Sequence, residues 1–171
     1  MIKNDSYKIT VLHPYDSFYA DSPRGKFSDE NSTSLVLKIE AENTAILFIG
    51  DIEEEAEDDL LNLDEWLISD IMKMPHHGGR TSSSAAFIQA VSPEVAVVSA
   101  GMNNPFHHPH QASIQKYKEA GVQVYRTDRD GAVTIHIKNG RYRINTFIDS
   151  QLIPVKTWKD ELRNVKLLFS N

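Results

Sequence analysis

Three apolar runs constrain this chain more than any other feature: residues 44–49, 70–74 and 94–99. The first, Thr-Ala-Ile-Leu-Phe-Ile, is nearly unbroken, as expected of a strand covered on both faces. Each run is followed by a segment with helical signals. Residues 53–62 place acids in a first turn, where the helix dipole favours them. Residues 85–91 follow Thr81, Ser82, Ser83 and Ser84, which offer several N-caps. Residues 111–120 end at Gly121. Strands alternating with helices in the middle of a chain predict a sheet layered with helices.

The ends of the chain read differently. Residues 7–12 alternate polar and apolar, the period of a half-buried strand. Residues 13–32 are loop-like, rich in Pro, Asp and Ser. Residues 34–39 and 44–49 flank Glu42-Asn43, which predicts an antiparallel hairpin. Residues 122–125 and 132–137 read as strands across the turn Asp128-Arg129-Asp130-Gly131, and residues 141–147 make a last hairpin through Asn139-Gly140. The expected fold is α/β with a mixed sheet. Residues 1–150 form one domain without repeats, and residues 151–171 an extension with a short amphipathic helix over 158–169.

Composition removes several alternatives. The absence of cysteine excludes a disulfide framework and a thiolate metal site. No apolar stretch approaches the ~18 residues of a membrane span, and the first residues carry no apolar secretory core. A net charge of −6 argues against a protein that grips nucleic acid over its whole surface. Much of the acidity lies in residues 51–59, a block that reads as the coat of a solvated helix.

Five of the seven histidines fall in two clusters. His76 and His77 follow the run ending at Met74, and His107, His108 and His110 follow the run ending at Ser99. Asp51 stands at the end of the first run. Open α/β sheets build their sites at strand ends, and Asp and His there suit zinc or manganese. Each residue also has a structural reading. Asp51 with Glu54 matches a capping box in all but the Ser/Thr identity. Gly78-Gly79 lets the chain pass close to a ligand. Thr81 to Ser84 offer amides and hydroxyls to an anion, or simply cap a helix. His13 and His136 read as structural.

Taken together, these stretches resemble the hydrolase domain of ComEC-type DNA-uptake proteins. The resemblance is carried by Leu12-His13-Pro14, Phe48-Ile49-Gly50-Asp51-Ile52-Glu53, Lys73-Met74-Pro75-His76-His77-Gly78, Thr81-Ser82-Ser83-Ser84, Asn103-Asn104, His108-Pro109-His110 and Tyr125-Arg126-Thr127-Asp128-Arg129-Asp130-Gly131. It runs in order through about residues 7–137. It implies the C-terminal half of a metallo-β-lactamase-type αββα sandwich. By the same resemblance Asp51 is a bridging carboxylate, and His77 and His108 are metal ligands, with Asp51 and His77 catalytic. His76, His110 and Ser82 stand behind them or contact substrate. The cofactor would be zinc or manganese, two ions in the complete enzyme.

Two departures bear on activity. The family's His-x-His-x-Asp-His run does not occur in this sequence, and Asp29-Glu30-Asn31-Ser32-Thr33 stands where a histidine usually precedes the hairpin. Asn31 or Asp29 could lend an oxygen there. Two readings follow. One is part of a metal-dependent phosphodiesterase or nuclease, related to competence DNA uptake and completed by an N-terminal half. The other is a non-catalytic binding or assembly module, or a chain that needs no metal, which buries its open sheet face by self-association. A free-standing chain would stay in the cytoplasm; as part of a ComEC-type membrane protein it would work outside the membrane.

Overall fold

The computed structural model describes residues 1–14 and 30–148. Its main sheet has seven strands in sequential order: β1 (Ile2–Lys3), β2 (Tyr7–His13), β3 (Val36–Ala41), β4 (Thr44–Ile49), β5 (Ile71–Lys73), β6 (Val95–Val98) and β7 (Gln123–Arg126). The pairs from β1 to β4 are antiparallel, and those from β4 to β7 are parallel. The mixed sheet expected from the sequence is present.

The β3–β4 hairpin turns at Glu42-Asn43, both with positive φ (46° and 66°), as a two-residue turn matched to strand twist requires. The parallel strands are linked by helices α1 (Glu54–Leu60), α2 (Ala85–Val91) and α3 (Gln111–Glu119). α1 stops short of the expected 53–62, because the chain tightens into 3-10 turns over Leu61–Leu67 with a break at Asp64 (φ 44°). α2 falls where its caps predict, with the Ser84 hydroxyl accepting from Phe87 N–H. The predicted turn at 128–131 is instead the single helical turn α4 (Thr127–Asp130). It separates β7 from β8 (Val133–Lys138), which pairs with β9 (Arg141–Thr146) in a second sheet. The helix expected over 158–169 lies outside the described residues.

Strand alternation sorts the core into two faces. Val36, Leu47, Ile49, Met72, Ala96 and Val98 point to the helices and pack with Ile52, Leu60, Phe87, Ile88, Ile114 and Tyr117. Each fully buried side chain of this size contributes roughly 1.5–3 kcal/mol relative to exposure. On the other face Ile46, Ile71, Val95 and Tyr125 meet Tyr142 and Ile144 of the β8–β9 hairpin. That cover does not reach the whole face: Val11, Leu37 and Phe48 stand opposite one another on it, with Val11 47% and Phe48 40% exposed.

Candidate functional site

The parallel register places Phe48, Lys73 and Val97 side by side, so β4, β5 and β6 end at one edge. The loops leaving that edge carry Asp51, the 75–79 segment and the 99–110 segment. Two backbone bonds tie them together: His76 N–H donates to Gly50 carbonyl (3.2 Å) and His110 N–H to Gly78 carbonyl (3.0 Å). Gly78 makes this approach possible. Its φ is +78°, and a Cβ there would fall 2.6 Å from Pro109 Cβ.

Asp51 and His77 meet directly. His77 Nε2 is 3.4 Å from Asp51 Oδ2. The other ring nitrogen, Nδ1, is 2.7 Å from Ser99 carbonyl. A carbonyl only accepts, so Nδ1 carries a proton and donates to it, which turns Nε2 toward the Asp51 carboxylate. A backbone carbonyl behind a histidine is the usual support of a metal ligand. Asp51 does not cap α1: the N-cap is Glu53, and Glu54 N–H goes to Thr81 carbonyl. That leaves its carboxylate turned to His77 and to Lys73 Nζ, 3.8 Å from Oδ1.

The remaining imidazoles surround His108. Its ring lies 5.5 Å from His76, 6.4 Å from His77 and 5.1 Å from His110, centroid to centroid. Burial and then the neighbouring His110, His76 and His77 push the His108 pKa down, outweighing Asp51. Burial, Arg80 and His107 do the same for His110. Both rings are therefore neutral near pH 7 and keep a lone pair.

Further residues frame the site, Asn31 among them, through its amide N–H rather than its oxygen. Glu53 Oε1 is 3.1 Å from His76 Nδ1, without the alignment of a hydrogen bond, and accepts from Asn31 Nδ2 at 3.3 Å. Lys73 Nζ donates to the carbonyls of Ile49 (3.1 Å), Met74 (3.1 Å) and Gly50 (3.4 Å), stitching β4 to β5. Burial lowers its pKa, with Asp51 opposing. Arg80 Nε donates to His110 Nδ1 at 3.3 Å.

Ser82 is buried, with its hydroxyl 3.5 Å from the carbonyls of Pro75 and Gly79. His13 is buried with Nε2 2.9 Å from Ser32 carbonyl. His136 is exposed on β8. Asp29 lies outside the described residues. Glu57, in the acidic block, is fully buried and accepts from the N–H groups of Ser83 (2.5 Å) and Ser84 (2.8 Å).

The donor chemistry suits a divalent cation at Asp51 and His77, but the count falls short. Among the described residues no three His, Asp or Glu side chains are placed to hold one metal ion.

No family model matches the chain. Over 120 residues, 70% of its length, it is 37% identical to ComE operon protein 3 of Bacillus subtilis. It is 37% identical over 113 residues to competence protein ComA of Neisseria gonorrhoeae. To recombination protein 2 of Haemophilus influenzae it is 28% identical over 115 residues. The chain spans only 15%, 16% and 14% of the length of these relatives. These three relatives are named for competence or recombination, and the chain corresponds to a small part of each. Among the described residues no helix is long and apolar enough to cross a membrane.

Proposed function

We propose that this chain supplies the late half of a metal-dependent phosphodiesterase site that acts on DNA during competence, within a metallo-β-lactamase-type fold. One observation carries the reading: His77 presents Nε2 to Asp51 while the Ser99 carbonyl fixes its Nδ1–H. Asp51 and His77 would lend ligands to zinc or manganese, with the His108 ring stacked beside His77 as the next imidazole at hand. When bound, such an ion lowers the pKa of its water to about 7 and stabilises charge on phosphate. The further ligands come from outside these residues, since the sequence holds no His-x-His-x-Asp-His run. That fits a chain matching about one-seventh of its relatives.

The chain's own residues do the rest. Lys73 braces the strand ends and faces Asp51. Glu53 lies against His76, and Arg80 against His110, where a phosphate oxygen would find a cation. Within a ComEC-type membrane protein the domain would work outside the cytoplasmic membrane, and a free-standing copy would work in the cytoplasm.

A second reading, a binding or assembly module, draws on the partly exposed Val11 and Phe48 on the open sheet face. An N-terminal half or a second copy would cover that face. The experiment that separates the two mixes the chain with a ComEC-type N-terminal half and zinc or manganese. Cleavage of DNA or of bis-nitrophenyl phosphate, lost in Asp51→Ala, supports the hydrolase. A stable complex that cleaves neither substrate supports the module.

A further inference from the structure

Phe106 stands in the 99–110 loop with 71% of its surface exposed, and Met102 of the same loop is 73% exposed. Single exposed apolar residues are ordinary; this one is held in place. Asn104 Nδ2 donates to the carbonyls of Gly101 (2.9 Å) and His108 (2.6 Å), and Asn104 Oδ1 accepts from His108 N–H (3.0 Å). His107 N–H closes the turn on Asn104 carbonyl at 3.1 Å. One face of the Phe106 ring lies over His108, with centroids 5.9 Å apart and planes 28° apart, within the range of offset stacking. At that exposure the opposite face is open to solvent.

A rigid aromatic face beside groups suited to phosphate is the pairing that single-stranded nucleic acids use. Bases stack on the ring, and cations or other donors take the backbone. Arg80 supplies a guanidinium bonded to His110, whose ring in turn contacts His108. Within a duplex, both faces of each internal base are already stacked, so this platform selects unpaired bases. We infer that Phe106 is a stacking platform for a nucleobase of single-stranded DNA, setting the strand preference of the adjoining site. The inference rests on the reading of that site as one for DNA phosphodiesters.

The test is fluorescence anisotropy of the full chain with a labelled oligothymidylate, an abasic strand of equal length and the matching duplex, all in EDTA. Wild type should bind the oligothymidylate more tightly than the abasic strand or the duplex. Phe106→Ala should weaken oligothymidylate binding roughly 5- to 100-fold, leaving abasic-strand binding unchanged, and Phe106→Tyr should restore it. Equal affinities for wild type and Phe106→Ala, equal affinities for strand and duplex, or no strand binding at all would each overturn the inference. So would a Phe106→Ala effect confined to self-association, which would make the ring a protein contact. Because EDTA is present, a failure to take up metal or to cleave DNA counts against the hydrolase reading alone.

Discussion

The Asp51 carboxylate and the His77 imidazole face each other at 3.4 Å, and the far ring nitrogen donates its proton to Ser99 carbonyl. The two residues come from loops after different strands, joined by the bond from His76 N–H to Gly50 carbonyl. Orientation is therefore set by backbone, before any ligand arrives. Both His76 and His77 sit at positive φ (44° and 52°), a conformation that costs of order 1–3 kcal/mol per residue. The contacts around the 75–79 segment hold these two residues there.

Gly78→Ala should disable this arrangement without touching a ligand. The new Cβ would sit 2.6 Å from Pro109 Cβ at a φ of +78°, so the 75–79 and 99–110 segments must part. We expect a loss of about 1–3 kcal/mol in urea unfolding, together with weaker zinc binding. Unchanged values for both would mean the contact between the two loops is not needed.

Lys73→Met should destabilise the fold by about 1–3 kcal/mol. It removes the donor shared by the Ile49, Gly50 and Met74 carbonyls and leaves Asp51 without its cation. Lys73→Arg should rescue little, because a planar guanidinium cannot aim at carbonyls that converge on one point. Thermal melts of the two variants check this.

Glu57 gives a pH signature. Burial raises its pKa above the ordinary 4.5, against the Ser84 and Ser83 amides that lower it. The folded state then binds more protons than the unfolded one, so stability from this group is greatest in acid. It falls as pH rises from about 4.5 to the raised folded value. Glu57→Gln should flatten that part of the stability–pH curve relative to wild type. Glu57→Ala should cost ~2–4 kcal/mol by orphaning two buried amides. Parallel slopes for wild type and Glu57→Gln would contradict the assignment.

The sequence is a good guide where a signal is local. Ser84 caps α2, Glu42-Asn43 and Asn139-Gly140 turn their hairpins, and three strand ends carry Asp51, His77 and His108. It fails where the partner is distant. Glu57 reads as one more acid on a solvated helix, yet its amide partners come from 26 and 27 residues away. Lys73 lies inside the apolar run 70–74, and its carbonyl partners at the end of β4 come from 24 and 23 residues away. β1 pairs only Ile2 with Ile9 and Lys3 with Lys8, too short for any period to show. The turn at 128–131 has the composition of a hairpin, but Arg126 and Asp128 pair with each other and Asp130 accepts from Arg126 N–H, winding it into α4.

The most direct test is a zinc titration followed by the imidazole nitrogen resonances of the purified chain. His77 Nε2 and His108 should shift together on binding, His77 Nδ1 should keep its proton, and Asp51→Ala should weaken affinity by about tenfold or more. Imidazole signals that ignore zinc, or an Asp51→Ala variant that binds as wild type does, would contradict this.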